Sequence, residues 1–543
     1  MFCYQCEQTR KTTACTEKGV CAKTPEVAAL QDLLLYTARG LAHVARRAGA
    51  AGADIADVAP SLGEALFTTV TNVNFDAETL KVRIHAMAAR RDALRAKAGD
   101  EVLPCAAAFV PAATVADMVV QGDSLGIAMR QTRFGADRTG MQELLTYGLK
   151  GVAAYAHHAR ILGQTDAEVD AFLIEGLDIL NDPAPTVDAL FADAMRCGEI
   201  SVKVLALLDG ANTGRFGNPV PTPVRMGAIE GKAILVSGHD LADLKALLEQ
   251  TEGTGINVYT HGEMLPAHGY PELKKHAHLV GHFGGAWMLQ REEFAAFPGA
   301  IVMTTNCLME PQPAYRDRLF TRGLVSFPGI PHLADGDFAP AIAAAIAAEG
   351  FAEGDADART HITGFGHDAV LGVADSVIAA VTQGEIKRFM LIGGCDGAIS
   401  GRNYFTEMAQ KAPKDWMILT LGCGKFRLTD LDLGDVAGLP RLLDMGQCND
   451  SYSAVRVAMA LADAFGTDVN GLPLSLVISW YEQKAVCVLL ALLFLGVKGI
   501  RLGPRLPAFV TPAMLKVLVD RFDIKPIGAS ADEDLQTIQA LGA

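Results

Sequence analysis

The chain has 543 residues, half of them apolar and a fifth charged, and its formal net charge is −15 at pH 7. This length exceeds what a single hydrophobic core usually stabilises, so about two to four domains are expected. The composition excludes a largely disordered chain. An acidic balance without basic runs argues against nucleic acid or an anionic membrane as a partner.

The N-terminus lacks the charged and apolar regions of a secretory signal, and the longest apolar run covers only residues 485–497. A run of that length is too short to span a bilayer and predicts a buried helix. We therefore expect a soluble, cytoplasmic protein. Disulfides are unusual in that compartment, so the eleven cysteines indicate metal binding or redox chemistry.

The first predicted element is a cysteine-bearing loop at the N-terminus. It contains Cys3, Cys6, Cys15 and Cys21, which lie within nineteen residues. Such loops fold around a tetrahedral sulfur site that holds either zinc or an iron–sulfur cluster. The spacing does not decide between these two, because it differs from the ferredoxin-like run. Scattered free thiols are the less favoured alternative, since cysteine is sparse elsewhere in the chain.

Helices are predicted from residue 25 to about residue 210, because apolar residues recur three and four positions apart and alanine is abundant. We expect an N-terminal domain over residues 1–222 that combines the cysteine loop with a helical bundle. The helical pattern ends where Pro219, Pro221 and Pro223 follow one another closely.

After this break, short buried strands alternate with helices such as residues 241–249. Such alternation implies mainly parallel, Rossmann-like sheets with helices on both faces. A softer boundary near residues 348–357 divides this region. The predicted fold class is therefore multidomain α plus α/β, with one α/β domain over residues 223–357 and a second over residues 358–543.

Seven of the predicted strands lead to a residue that can ligate a metal. These residues are His239, Glu263, Cys307, Cys395, Cys423, Cys448 and Glu482. Ligands of open α/β sheets bind beyond the carboxyl ends of the strands, so the seven side chains predict one shared metal centre. Thiolates suit iron–sulfur bonding, whereas carboxylate and imidazole suit harder, oxygen-bridged iron. A lone cysteine at a strand end is more often a small buried apolar residue, so the prediction depends on the recurrence.

Other chemically active residues have plainer explanations. His276, His278 and His282 resemble a metal-ligand spacing, but beside two lysines they predict a solvated helix face. Gly364 and Gly366 form only half of a dinucleotide fingerprint. The remaining cysteines are interpreted as buried thiols: Cys105, Cys197 and Cys487.

Five short motifs together point to a known family. They are MFCYQCEQT (1–9), GGCDG (393–397), LGCGK (421–425), QCND (447–450) and SWYEQK (479–484). With these motifs the chain resembles, over its whole length, the hybrid cluster proteins, also called prismane proteins, of the hydroxylamine reductase family. The set of motifs is highly specific to that family.

The resemblance implies two cofactors. Cys3, Cys6, Cys15 and Cys21 would hold a cubane [4Fe-4S] cluster, because their short gaps fit the cubane class of the family rather than its [2Fe-2S] class. The seven strand-end residues match the ligands of a hybrid [4Fe-2O-2S] cluster at the interface of the domains. Cys395 matches the ligand that is a persulfide in this family.

The implied reaction is the reduction of hydroxylamine to ammonia and water, with electrons relayed inward from the N-terminal cluster. An iron with an open position would bind the substrate as a Lewis acid and polarise the N–O bond. Lys484, beside Glu482, is the candidate proton donor, because of its position and because burial would lower its pKa. A structural salt bridge to a nearby carboxylate is the alternative role for Lys484.

Three other functions stay open. The first is reduction of nitric oxide in defence against nitrosative stress. The second is a nickel enzyme like the fold relative carbon monoxide dehydrogenase, which the oxygen ligands Glu263 and Glu482 argue against. The third is a non-catalytic redox or nitrosyl sensor. Because a complete dinucleotide fingerprint is missing, we expect a separate reductase or ferredoxin-like protein as the electron donor.

Overall fold

The computed structural model describes residues 1–99 and 104–540. The chain begins with an irregular loop, in which Cys3 and Cys15 pair through their backbones, and then forms a helical region. The helices of this region are α1 (Pro25–Ala50), α2 (Val58–Thr68), α3 (Ala77–Arg95), α4 (Cys105–Ala108), α5 (Val115–Asp123), α6 (Ile127–Phe134), α7 (Ala136–Ile161), α8 (Ala167–Ile179) and α9 (Val187–Phe216).

Side-chain caps mark where several of these helices begin. The Thr24 hydroxyl accepts a hydrogen bond from the backbone N–H of Val27 at the start of α1, and Asp76 and Thr186 do the same for α3 and α9. Each cap satisfies a backbone donor that has no partner within the helix. The predicted helical region is therefore present, and it ends at Phe216, just before the prolines.

A five-stranded sheet follows, after a short strand β1 (Thr222–Arg225) that joins a different sheet. Its strands are parallel and lie in the order β4-β3-β2-β5-β6. They are β2 (Ala233–Ser237), β3 (Asn257–His261), β4 (Leu279–His282), β5 (Ala300–Met303) and β6 (Leu319–Thr321). The helices of this part are α10 (Leu241–Thr251), α11 (Pro271–Lys274), α12 (Gln290–Ala296) and α13 (Ala339–Ala347).

The larger sheet has eight strands in the order β1-β7-β12-β9-β8-β13-β14-β15, and only its β1–β7 pair is antiparallel. Its remaining strands are β7 (Thr360–Thr363), β8 (Arg388–Gly394), β9 (Trp416–Thr420), β12 (Leu442–Asp444), β13 (Leu474–Ser479), β14 (Arg501–Gly503) and β15 (Lys525–Pro526), while β10 (Asp435–Val436) and β11 (Leu439–Pro440) form a separate hairpin. The accompanying helices are α14 (His367–Leu371), α15 (Ala374–Thr382), α16 (Asn403–Lys411), α17 (Ser451–Phe465), α18 (Gln483–Phe494), α19 (Pro512–Phe522) and α20 (Ala531–Ala540).

Helix α18 joins the larger sheet to the helical region. It packs against α7 and α9, and its Val486, Cys487, Leu490 and Ala491 belong to the same apolar core as their buried side chains. A glycine makes this contact close, because a Cβ added at Gly151 of α7 would lie 2.3 Å from the Cβ of Cys487 and 3.2 Å from the Cα of Lys484. Only a residue without a side chain fits there. The start of α18 is therefore held directly against α7.

The structure confirms the predicted fold class of a helical region followed by mainly parallel α/β sheets. The apolar run over residues 485–497 forms most of a helix, α18, as expected. In the described part of the chain, no helix has the length and apolar character needed to cross a membrane.

Two local predictions were wrong. Cys105, interpreted as a buried thiol, is exposed. His276, His278 and His282 do not share a solvated helix face, because α11 ends at Lys274 and His282 belongs to strand β4. Residues 279–282 pair with β3, so sheet formation places the His282 ring in the interior, where it stacks on Phe426. Pairing with a neighbouring strand thus outweighed the local helical pattern.

Candidate metal centre

The N-terminal cysteines lie together in one loop. Cys3 and Cys15 exchange two backbone hydrogen bonds of 3.1 and 2.8 Å, and this pairing folds the loop on itself. Cys6 and Cys15 are buried, while Cys3 and Cys21 are partly buried. The pKa of the Cys6 thiol lies well above its ordinary value. Burial is the main cause, and the neighbouring Cys21 and Cys3 raise the pKa further. The loop thus brings Cys21, Cys3 and Cys15 close enough to Cys6 to act on its thiol.

The second set of predicted ligands follows the strands of both sheets. His239, Glu263 and Cys307 follow β2, β3 and β5 of the smaller sheet. The others follow β8, β9, β12 and β13 of the larger sheet, in the order Cys395, Cys423, Cys448 and Glu482. The carboxyl ends of the two parallel sheets therefore face a common region, as expected for ligand sites in α/β folds.

Three of these residues form a tight group that bridges the two sheets. One ligand atom each from His239, Glu263 and Cys448 lies within 4.8 Å of the others. The Glu263 Oε2 atom accepts a hydrogen bond of 2.7 Å from the Cys448 backbone N–H and lies 4.0 Å from His239 Nε2. On the other side of the ring, His239 Nδ1 lies 3.0 Å from the Thr305 hydroxyl. Such a contact orients an imidazole for metal binding through Nε2.

The other four predicted ligands surround this group without belonging to it. Cys307, Cys395 and Cys423 share an apolar cluster. The pKa of the Cys395 thiol is raised to about 12, mainly because the thiol is buried and secondly because the Glu482 carboxyl group is near. The Asn306 side-chain N–H₂ connects the two sheets, because it lies 3.4 Å from both Cys307 Sγ and Glu482 Oε1.

The chemistry of these residues fits a bound metal cluster. Four polar atoms of this region are buried and have no hydrogen-bond partner among the described residues: Glu263 Oε1, Asn306 Oδ1, Gln447 Oε1 and Lys484 Nζ. Burial raises the pKa of both Glu263 and Glu482. Buried unpaired polar groups are costly, and a metal that binds thiolate, carboxylate and neutral imidazole would compensate them. His239 suits this role, since burial and the nearby Lys484 lower its pKa well below the ordinary value.

Lys484 is fully buried, but its predicted pKa shift was wrong in sign. Burial alone would lower the pKa, but the surrounding Cys448, Glu482, Cys307 and Cys395 together raise it above the ordinary lysine value. Lys484 Nζ lies 3.7 Å from Glu482 Oε1, so part of the alternative salt bridge is present. The sequence shows that a lysine follows the glutamate, but not how many anionic groups surround it.

Two aromatic rings share an apolar cluster with cysteines of both predicted sets. The Trp287 and Tyr481 rings stack with centroids 4.4 Å apart and share an apolar cluster with Cys6, Cys307 and Cys395. The Tyr481 carbonyl also accepts a hydrogen bond from the backbone N–H of the residue after Cys6, at 2.9 Å. The two thiol sets are therefore joined through a short, packed and apolar region.

Arg402, which no sequence motif indicates as a site residue, connects the two thiol sets. Its side chain is 1% exposed and donates to Glu7 Oε2 at 2.9 Å, to Asp396 Oδ1 at 3.3 Å and to the Cys395 carbonyl at 3.4 Å. Glu7 follows Cys6 and Asp396 follows Cys395 in the sequence. The sequence does show an acidic residue after each of these cysteines. It does not show that Glu7 and Asp396 share Arg402 as a partner, because Glu7 and Arg402 are far apart in the sequence.

We expect Arg402→Met to lower the free energy of unfolding by ~3–5 kcal/mol, because it removes one member of a buried ion pair. Burial already raises the pKa of Glu7, and Arg402 opposes this. In the variant the folded-state pKa of Glu7 rises further, so the additional loss of stability is small at pH 5 and grows as pH rises towards 8. Urea denaturation at both pH values measures this difference.

Arg441→Met is the matched control, since Arg441 is also buried but donates to backbone carbonyl groups, including those of Trp416 and Ala412. It leaves no buried carboxylate without its partner, so its loss of stability should vary little between pH 5 and 8. Equal pH dependence in the two variants would contradict the assigned role of the Glu7–Arg402 pair.

A large apolar cavity reaches the second set of residues. Its volume is about 850 Å³, and it lies mainly among α17, α18 and α19. Most of its wall consists of aliphatic side chains such as Leu461, Leu489 and Leu493, but Cys395 and Cys448 also line it. Small uncharged molecules can therefore approach these thiols through apolar surroundings.

The fold, the sulfur site and the mixed thiolate, carboxylate and imidazole group define an iron–sulfur oxidoreductase. The chain belongs to the Prismane/CO dehydrogenase family, whose sequence profile matches residues 1–536. It is 64% identical over 545 aligned residues to the hydroxylamine reductase of Zymomonas mobilis subsp. mobilis, with full coverage of both chains. It is 59% identical to the hydroxylamine reductase of Rhodospirillum rubrum, with 98% of each chain covered.

Solved structures of lower sequence identity share the fold. Carbon monoxide dehydrogenase IV from Carboxydothermus hydrogenoformans aligns with 96% of this chain and 89% of its own, at a TM-score of 0.55 and 17% identity. A nickel-free carbon monoxide dehydrogenase from Thermococcus sp. AM4 aligns with 99% of this chain and 90% of its own, at a TM-score of 0.55 and 18% identity. At such identities the similarity supports the architecture alone.

Proposed function

We propose that this protein reduces hydroxylamine according to NH₂OH + 2 e⁻ + 2 H⁺ → NH₃ + H₂O. The observation that carries the proposal is the group of His239, Glu263 and Cys448, which joins the two sheets at a buried site with unpartnered polar atoms. The names of the relatives, which match this chain over nearly its full length, support hydroxylamine as the substrate.

Two clusters would serve this reaction. Cys3, Cys6, Cys15 and Cys21 would hold a [4Fe-4S] cluster, and the seven strand-end residues would hold a hybrid [4Fe-2O-2S] cluster with Cys395 as a persulfide. When bound, the hybrid cluster supplies an open, Lewis-acidic iron for the N–O group of the substrate. All eleven cysteines lack a disulfide partner, which suits a reducing compartment such as the cytoplasm.

Lys484 supplies a proton in this proposal. Cys448, Glu482, Cys307 and Cys395 raise its pKa above the ordinary lysine value, which favours the protonated ammonium form. Its Nζ atom has no hydrogen-bond partner among the described residues, so it is free to donate to a bound substrate. Glu482 lies 3.7 Å away, where its carboxylate stabilises the ammonium between turnovers.

Electrons would pass from the N-terminal cluster to the hybrid cluster, one at a time. The packed region around Trp287 and Tyr481 supports this route, because it belongs to the same apolar cluster as Cys6 and Cys307. We propose a separate reductase or ferredoxin-like protein as the donor to the N-terminal cluster. Cys3 and Cys21 are partly exposed, which favours an approach at that side.

The apolar cavity favours a second candidate substrate, nitric oxide. Its reduction requires the same number of electrons and protons: 2 NO + 2 e⁻ + 2 H⁺ → N₂O + H₂O. An uncharged diatomic molecule partitions into apolar space, and the wall of the cavity includes Cys395 and Cys448. Hydroxylamine is polar and gains less from such surroundings.

The test is anaerobic turnover with one artificial electron donor, using protein of verified iron content. We expect hydroxylamine to have the higher kcat/KM. A clear preference for nitric oxide would replace the proposed substrate with the second candidate and assign a role in nitrosative-stress defence. Negligible turnover with both, together with spectral changes on binding, would favour a redox or nitrosyl sensor. Stoichiometric nickel would favour carbon monoxide chemistry.

A further inference from the structure

Tyr155 is a fully buried residue whose hydroxyl group has no hydrogen-bond partner. It belongs to α7, and its exposed fraction is 0%. Among the described residues, no donor or acceptor forms a hydrogen bond with its oxygen. A buried hydroxyl without a partner is unfavourable, and phenylalanine would fill the same space without that cost. A bound molecule that forms a hydrogen bond with this hydroxyl group would remove the cost.

The position of Tyr155 indicates where that partner lies. Tyr155 lines the apolar cavity together with Cys395 and Cys448. Besides burial, the groups that act most strongly on its hydroxyl are the thiols Cys448 and Cys487 and the carboxyl of Glu482. The Tyr155 side chain is thus placed where the cavity meets the proposed hybrid centre.

The packing of α7 against α18 fixes this position. Gly151 lies one turn before Tyr155 and permits the close contact with Cys487 and Lys484. In a helix, residues four apart lie on the same face, so Tyr155 projects on the side that meets the start of α18. The ring cannot move far, since both helices are part of one packed core.

We propose that the Tyr155 hydroxyl donates a hydrogen bond to the oxygen atom of an N–O compound bound at the hybrid centre. This inference rests on the proposed function, because it assumes a ligand with an N–O bond at that centre. The tyrosine keeps its proton throughout, and no bond to it forms or breaks. Its role is to orient the ligand oxygen at the end of the cavity that meets the hybrid centre, while Lys484 provides the proton.

The environment keeps the group in the donor state. Burial raises the pKa of Tyr155 well above the ordinary tyrosine value, and Cys448, Cys487 and Glu482 act in the same direction. The hydroxyl group is therefore held in its protonated, donating form. A rigid, neutral donor aimed at a reacting oxygen loses little when the ligand binds.

The test is Tyr155→Phe, which removes only the hydroxyl group. The main measurement is the infrared N–O stretch of nitric oxide bound to the reduced holoprotein, recorded in H₂O and in D₂O. We expect the native stretch to shift in D₂O, and the variant stretch to lie at a different frequency with a smaller shift. Turnover of hydroxylamine should fall about 10²-fold, the usual effect of losing one such donor. Iron content should be unchanged, and the thermal midpoint should be unchanged or higher.

Tyr315→Phe is the matched control. Tyr315 is also buried, but it packs against Phe294 in the core of the smaller sheet. This variant should reproduce the native N–O stretch and its D₂O shift. The control thus reports what the loss of a buried tyrosine hydroxyl does elsewhere in the same molecule.

Two results would overturn the inference. The first is an unchanged N–O stretch and D₂O shift in Tyr155→Phe. The second concerns the cluster spectrum. If Tyr155→Phe changes this spectrum as much without nitric oxide as with it, the hydroxyl group bonds to the centre itself and not to the ligand. If the native protein binds nitric oxide as expected but does not turn over hydroxylamine, only the proposed reaction fails. If it binds neither compound, both proposals fail.

Discussion

Replacement of Lys484 by methionine is expected to lower hydroxylamine turnover by ~10²–10⁴-fold, the usual contribution of a positioned general acid. Methionine has a similar volume but no proton to donate. The surrounding Cys448 and Glu482 raise the pKa of the lysine, so the native group is protonated at neutral pH. In the variant, protons must come from solvent, and the residual activity should rise as pH is lowered. The measurement is kcat per hybrid centre as a function of pH.

Lys150→Met provides the comparison, since Lys150 is also buried but donates to Gln5 Oε1 and the Thr69 carbonyl beside the N-terminal loop. The same change there removes a buried lysine, whose pKa burial lowers to about 7, away from the proposed substrate site. With saturating reductant, its pH profile should keep the native shape. If Lys484→Met instead retains native turnover with an intact cluster, Lys484 serves only as the salt-bridge partner of Glu482.

Much of the fold followed from local patterns in the sequence. Strand β8 could be predicted because five consecutive apolar or small residues precede Gly394, and α18 because an apolar run lies between two lysines. The positions of Cys395 and Glu482 followed from the same patterns, since Cys395 comes directly after β8 and Glu482 is the third residue after β13. In a parallel sheet these strand ends necessarily lie along one edge.

Other features depend on contacts between distant parts of the chain. In the sequence, Tyr155 is one aromatic residue in an apolar helix, and only the complete set of neighbours shows that its hydroxyl has no partner. Arg402 follows a glycine-rich loop, and nothing nearby indicates that it pairs with Glu7, which lies 395 residues away. The strand that contains His282 likewise depends on its pairing with β3. Local periodicity does not encode such partners.

Replacement of Glu263 by glutamine is expected to abolish turnover and to reduce the iron content by about half, since the hybrid cluster is lost and the N-terminal [4Fe-4S] cluster remains. The amide keeps the size of the side chain but cannot serve as an anionic oxygen ligand. Glu263 Oε1 has no hydrogen-bond partner among the described residues, and Oε2 lies 4.0 Å from His239 Nε2. Iron and sulfide analysis with EPR spectroscopy measures the loss of each cluster.

The stability of the metal-free protein distinguishes a ligand from a structural carboxylate. If Glu263 serves mainly to bind metal, its neutral isostere should leave the metal-free chain as stable as the native one or more stable, because the buried carboxylate, whose Oε1 atom has no hydrogen-bond partner among the described residues, is replaced by a neutral amide. Glu293→Gln is the control, since Glu293 accepts a 2.9 Å hydrogen bond from His261 Nε2 outside the proposed ligand set. That variant should retain both clusters. Full iron content in Glu263→Gln, or a marked loss of stability without loss of iron, would remove Glu263 from the proposed ligands.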